Sequence, residues 1–463
     1  MESIRAYKAA GKPNTTLQTN KNVAAIVGGG KGTFINVVQG PYQSLTEIAT
    51  DYDWTGADLT KYGHTAIYRS AREFFVNGGR QLYIVETTLS AEQTSTTTPI
   101  LGADSVDFTA SLLAINPVPG SLYVTVNAVA KVEGTDYIVD YSSDVVYFKA
   151  SFNGTHACVI KWKEYVVSNF EASILLFESF NVNLIAGSYA FHNTLLAKVK
   201  VHMDNRAIRH KHAIAFGTGV YKETTNIIAA AVGSCQSEYM SLWANRSGYF
   251  NDAISDPSVN WLEFTDPSSC ILGVASAYGP SVSLHEKTMK NLNQNGEWTS
   301  TQVGLLNAAY VNYFSSNLYN GYNSKNGYLL DPSADWRYVD QGRTWIYIKD
   351  SCKGALDGAK LIGNVPVNRM GLTAVERVIL DTMYAIYTEG IAIEDPNLLD
   401  DTFKDYKVVM SELIEIVKKD PGQWNPQELA LIQTAQSTRA LTVYVFYDYQ
   451  GSLHTIDLYI GAL

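Results

Sequence analysis

The apolar positions of this chain fall in short blocks, and their spacing changes from region to region. Val23-Ala-Ala-Ile-Val27 is an unbroken apolar run that predicts a buried strand, followed by glycines at 28–30. Between 65 and 77, Ile67, Ala71, Phe74 and Phe75 recur at three- and four-residue spacing, which predicts a helix. Asn77-Gly78-Gly79 should end it, since glycine supplies the left-handed C-cap. Leu82-Tyr-Ile-Val85 then reads as a second buried strand, and strand, helix, strand in that order predicts an α/β layer.

From Thr87 to Thr98 the chain is rich in Ser and Thr, the composition of a linker. Short alternating or β-branched blocks follow at Ser121–Val126, Asp136–Val139, Asp144–Phe148 and Ala157–Lys161, with Gly, Asn or Asp between them. They predict a small all-β module inserted into the α/β domain. The α/β pattern resumes near Phe170, with strands predicted at Ala213–Phe216 and Tyr239–Trp243 and a helix at Asn226–Ser234. Past 340 two amphipathic helices are predicted. Ala374–Tyr387 carries Val375, Val378, Ile379, Met383 and Ile386 on one face, and Phe403–Lys418 carries Tyr406, Val409, Leu413 and Ile416. The chain then reads as a hairpin, 440–449 and 452–460, turning at Gln450-Gly451. Residues 1–21 are polar apart from anchors such as Ile4, Tyr7 and Leu17, and read as an extended arm.

The expected fold class is therefore multidomain α/β (α+β). Its parts are an N-terminal arm (1–21), a discontinuous α/β core (22–96 and 168–335), an inserted β-domain (97–167), a helical C-terminal α/β domain (336–438) and a C-terminal β arm (439–463). At 463 residues the chain is long enough for several cores.

Composition narrows the function. The net charge is −10, and no Lys/Arg run exceeds two residues, which argues against nucleic-acid binding. Tyrosine outnumbers phenylalanine 30 to 16, a balance that reflects either simple compositional bias or surfaces alternately wet and buried in contacts. Cys158, Cys235, Cys270 and Cys352 have no framework spacing and read as buried thiols of a protein made in a reducing cytosol. The N-terminal residues lack the apolar segment of a signal peptide, and no stretch approaches the roughly 18 apolar residues of a membrane span.

Four chemistries find little support in the residues. Gly28-Gly-Gly-Lys-Gly32-Thr33 follows a strand, but Lys31 is followed by Gly32, Ala25 stands where a P-loop needs its first glycine, and Thr33 breaks G-x-G-x-x-G. A turn with positive φ is the better reading. His202, His210 and His212 cluster, yet Arg206, Arg209 and Lys211 among them would repel a cation, so a solvated polar strand is expected. No Gly-x-Ser-x-Gly is present, and Gly233-Ser-Cys235 ends an apolar helix. Glu394-Asp395 and Asp400-Asp401 fit loops and helix starts. The residues propose no catalytic site, no cofactor and no metal.

Three segments in order resemble the contractile tail sheath family of bacteriophages and phage-tail-like injection systems. The first is Val23–Gly32 with Tyr62-Gly-His64, Phe74-Phe-Val-Asn-Gly-Gly79 and Tyr83–Val85. The second runs from Trp298-Thr-Ser-Thr-Gln302 through Leu306-Asn307 to Val311-Asn312, with Trp298 in place of the usual Leu. The third is Asp335-Trp-Arg-Tyr-Val339, Arg343, Ile346–Ile348 and Val365-Pro-Val-Asn368, with Gly342-Arg343 where paired arginines are common. The resemblance implies a virion structural subunit without enzymatic activity. Such a subunit stacks as hexameric rings around the tail tube and contracts to drive the tube through the host envelope. Its implied partners are copies of itself, the tube protein, and baseplate and tail terminator proteins, with no nucleic acid and no membrane insertion. The inserted domain is expected to face outward and the C-terminal domain to face the tube.

Terminal arms of the family add strands to neighbouring subunits, so Ile4, Tyr7, Leu17, Leu441, Val443, Val445, Ile456, Leu458 and Ile460 are the expected arm contacts. Glu376, Arg377, Glu412 and Glu415 are candidate charges between rings. The alternatives are an injection-system or bacteriocin sheath, another virion tail component, or an α/β nucleotide-binding enzyme.

Overall fold

The computed structural model describes residues 22–449 except 98–99, 102–105, 108–116, 142–144, 149–153, 210, 220–232, 245–264, 293–296, 318–320, 332–336, 362–367, 390–391, 394–405, 411–415, 418, 420 and 439–442. Two compact units divide them, one of residues 22–342 and one beginning at Arg343, a boundary inside a helix rather than at 336.

The first unit opens with β1 (Ala24–Gly28), wholly buried, followed by β2 (Val38–Tyr42), α1 (Leu45–Tyr52), α2 (Gly56–Tyr62), α3 (Ala66–Val76) and β3 (Leu82–Glu86). Helix α3 is the predicted stripe, with Ile67, Ala71 and Phe74 buried and the Thr65 hydroxyl capping the Tyr68 N–H. Its end explains the glycine pair. Gly78 takes φ +94°, and a Cβ on Gly79 would meet the Phe74 ring at 2.3 Å. Asn77 completes the cap, bonding the Glu73 carbonyl and both the carbonyl and N–H of Lys290.

The β module follows, as β4 (Gln93–Thr97), β5 (Ile100–Leu101), β6 (Val106–Asp107), β7 (Tyr123–Val126), β8 (Val129–Lys131), β9 (Tyr137–Asp140), β10 (Val145–Phe148), β11 (Gly154–Thr155) and β12 (Cys158–Trp162). They form antiparallel sheets ordered β4-β12-β7-β8, β6-β10-β9 and β11-β5. The Ser/Thr stretch expected as a linker is thus partly strand. β12 offers β4 an open ladder, and the three β-branched threonines of Gln93–Thr97 suit a strand once that partner is present.

Nor is the module a separate body. Val118, Val124, Tyr141 and Trp162 share one apolar core with Val27, Ala66 and Tyr189. Arg69 of α3 forks onto Glu133 of the module at 3.1 and 2.6 Å, almost out of solvent, and the Tyr141 hydroxyl donates to the same carboxylate.

The α/β pattern resumes with α4 (Val167–Leu175), β13 (Leu184–Gly187), α5 (Asn193–Ile208), β14 (Ile214–Gly219), β15 (Met240–Ala244), α6 (Pro267–Ala277), β16 (Thr288–Met289), α7 (Ser300–Ala308), β17 (Asn312–Ser316) and β18 (Tyr322–Lys325). The large sheet runs β16-β18-β17-β15-β14-β13-β1-β3-β2. β3, β1, β13, β14, β15 and β17 are parallel, and β2 and β18 pair antiparallel at the flanks. The central strands β1, β13, β14 and β15 are buried at every position, and β1 and β13 accordingly read as continuous apolar runs.

The second unit contains most of α8 (Val339–Gly358), then α9 (Arg369–Thr388), β19 (Ala392–Ile393), β20 (Tyr406–Met410), α10 (Pro426–Thr438) and β21 (Val443–Tyr449). Its core joins Tyr347 and Ile348 to Leu372, Val375, Ile379, Met383, Ile386, Ile416, Ile432 and Ala435.

Two expectations fail here. Residues 406–410 are a strand rather than part of a helix over 403–418. Tyr-Lys-Val-Val-Met is β-favouring in composition, and pairing with β21 decides between the two periods. Residues 443–449 are not half of a free hairpin either. β21 is the central strand of β19-β21-β20, with Val443 opposite Met410 and Val445 opposite Val408.

Candidate functional site

In a sheet ordered β3-β1-β13-β14-β15, the chain leaves β1 and β13 in opposite directions, and the crevice between their carboxyl ends is the usual ligand site. Here protein fills it. The Gly29 N–H donates to the Tyr165 hydroxyl at 3.2 Å, and that hydroxyl donates to the Ser188 carbonyl at 2.5 Å. A Cβ on Gly28 would lie 2.5 Å from Ser188 Cβ, and one on Gly29 would lie 2.5 Å from Val118 Cγ1. The glycines are therefore required by close approach of Val118 and Ser188, and Gly32 by its φ of +91°. Lys31 donates to the Thr50 carbonyl at 2.5 Å instead of projecting into a phosphate site.

At the neighbouring strand ends Asp266, the N-cap of α6, is fully buried. Its oxygens accept from Ser268 N–H and hydroxyl, Ser269 and Thr218 hydroxyls, Tyr189 N–H and the Ser70 hydroxyl. Burial raises its pKa while these donors oppose the rise. The local sequence Asp266-Pro-Ser-Ser marks a helix N-cap, but not the burial, because the other partners, Ser70, Tyr189 and Thr218, come from three distant segments.

The histidine expectation is corrected. His202 lies inside α5 and is buried, and His212 is buried just before β14; His210 lies outside the described residues. Leu195, Leu196, Val199 and Met203 on the buried face of α5 draw His202 inward despite its polarity. Among the described residues no cluster of His, Cys, Asp and Glu could hold a metal ion. The Cys158, Cys235 and Cys352 thiols are pushed up by burial, to about 11, 12 and 12, the opposite of an activated nucleophile.

The motif residues of the second segment have structural duties. Thr299 and Gln302 form a reciprocal capping box on α7. Buried Asn312 donates to Ser241 Oγ and to the Leu242 and Tyr328 carbonyls, and it accepts from the Gly327 and Tyr328 N–H groups. It thereby ties β17 to β15 and to the chain after β18.

What the structure leaves open is strand edge. On the large sheet β2 is an edge strand that contains Gly40-Pro41, and proline offers no N–H to a further strand. On the small sheet β20 pairs on one side only among the described residues, and it carries one charge, Lys407, and no proline. Of the expected arm contacts, Val443 and Val445 lie in the chain's own small sheet, whereas Ile4, Tyr7, Leu17, Leu441, Ile456, Leu458 and Ile460 lie outside the described residues. Glu376 is half-buried and Arg377 exposed on α9, opposite its buried stripe, while Glu412 and Glu415 lie outside the described residues.

The sequence matches no family model and no curated protein. Solved structures do match along nearly the whole chain. A chain of the anti-feeding prophage (AFP) baseplate is similar at 12% identity and TM-score 0.58, covering 98% of this chain and 96% of that one. The AFP helical sheath in its contracted state gives 12% identity and TM-score 0.57 over 98% and 95%. The contracted PVC sheath complex, an extracellular contractile injection system, gives 12% and 0.56 over 97% and 94%. The chain has the fold found in these contractile assemblies, from its first described strand to its last.

Proposed function

We propose that this chain is the structural subunit of a contractile sheath, which polymerises as stacked rings around a tube and shortens to drive that tube through an envelope. The observation that carries the reading is likeness of fold over 98% of this chain and 95% of a helical sheath subunit, with no large part of either left over. Two features support it. The crevice where such a sheet would bind a small molecule is filled by Val118, Tyr165 and Ser188, and the edge of β20 that is open among the described residues offers backbone groups to a strand from another copy.

In this reading the terminal segments, 1–21 and 450–463, supply the strands that neighbouring copies exchange. Partners are other copies, the tube, the baseplate and a terminator. A sheath of an injection system is the favoured form, because the AFP and PVC assemblies share the fold over nearly the whole of both chains. Electron microscopy of the purified protein tests the proposal. Long tubes of stacked rings are the expected product; isolated rings or dispersed monomers under all assembly conditions would refute it.

A further inference from the structure

Glu86 closes β3, and its carboxylate lies under the loop that leaves β1. The Gly32 N–H donates to one oxygen, and the Phe34 N–H to the other at 2.9 Å. Gly30 passes so near that a Cβ there would lie 2.6 Å from Glu86 Oε1. The backbone repeats the embrace, since the Asn36 N–H donates to the Glu86 carbonyl at 2.8 Å. Gly32 and Asn36 both take positive φ, so the chain curls around the carboxylate. Only 1% of Glu86 is exposed; burial raises its pKa, and the Phe34 and Gly32 amides oppose that rise by donating to the carboxylate. Amides converging on a concavity in this way form an anion-binding nest, the device that holds phosphate in other α/β proteins.

We propose that Gly30–Phe34 is such a nest, that its occupant is the chain's own Glu86 carboxylate, and that the loop and the edge strand β2 beyond it keep their order through this internal anion. The chemistry it recognises is a small carboxylate or comparable oxyanion. The glycine cluster that reads as a failed phosphate loop then has a positive role. It binds an anion, but one delivered by the neighbouring strand.

Emptying the nest tests this. Full-length Glu86→Ala should melt at a lower temperature than wild type, and sodium formate should recover part of the loss in a saturable way. Sodium chloride at equal ionic strength should not, and formate should do no more than chloride for wild type or for the core variant Ile84→Ala. Equal recovery in formate and chloride overturns the proposal, because Glu86 would then be filling volume only. Should Glu86→Ala fail to fold, the isosteric Glu86→Gln decides. Loss of charge-assisted hydrogen bonds should speed amide exchange at Gly32 and Phe34 about tenfold or more, and wild-type exchange at both overturns the idea.

Discussion

Acid should weaken this protein in part through His202. Its side chain is 1% exposed on α5, and among the described residues neither ring nitrogen has a hydrogen-bond partner. Burial, reinforced by Arg206 and Arg209, lowers its pKa from 6.5 to about 3. The folded state therefore refuses a proton that the unfolded chain accepts. Above pH 6.5 neither state is protonated and nothing is lost; below it stability falls with pH until the folded pKa is reached. Between pH 7 and pH 5 the loss is about 2 kcal/mol, from roughly one and a half pH units at about 1.36 kcal/mol each. His202→Met keeps an unbranched, helix-compatible side chain and removes the titration. Urea unfolding of both proteins from pH 7 to pH 5 gives the difference in stability at each pH, in which the other titrating groups cancel. That difference should move by about 2 kcal/mol in favour of the variant, a factor near thirty in the unfolding constant. A difference that stays flat would mean that His202 is hydrated or already charged in the folded protein, and the reasoning would be wrong.

Glu133→Ala should cost about 3–5 kcal/mol, because it leaves Arg69 buried without its partner. The double variant Arg69→Met with Glu133→Leu should recover most of that, as read by a double-mutant cycle in urea. Ending the chain after Tyr449 should leave both units folded but block tube formation, whereas ending it after Arg439 should also disrupt the small sheet by removing its central strand. Circular dichroism and electron microscopy separate the two, and normal tubes from the chain that ends after Tyr449 would refute exchange of the last residues. The extended state of assembled sheath should respond to ionic strength if half-buried Glu376 and exposed Arg377 contribute between rings, since the screening length shrinks to about 3 Å near 1 M salt. Imaging across a salt series checks this, and an unchanged extended fraction assigns the stored energy to apolar packing and strand exchange.

Much of the first unit was legible because its elements are decided locally. β1, β3, β14 and β15 are apolar runs, and α3 carries its stripe, its cap and its terminating glycines within one short segment. The three motif segments also needed only order along the chain to suggest the fold, and their asparagines and glycines prove to be caps and close approaches. Readings failed where two periods or two partners competed. Tyr406–Met410 satisfies a helical spacing and a strand composition alike, Gln93–Thr97 has the composition of a linker, and His202 is polar on a buried face. Each was settled by a partner far away in sequence: β21 for the first, β12 for the second, and the packing of α5 against the sheet for the third.

The sequence by itself determined the periodic elements, the absence of a nucleotide-loop spacing, and the resemblance to a sheath. Only the tertiary structure decided that the β module shares the core, that Val118 and Tyr165 fill the crevice, and that Glu86 occupies the glycine loop. Those outcomes depend on contacts between residues such as Gly29 and Tyr165, or Arg69 and Glu133, which are distant along the chain. Hydrophobic period is a property of neighbours in sequence, whereas burial of a charge or filling of a crevice is a property of neighbours in space.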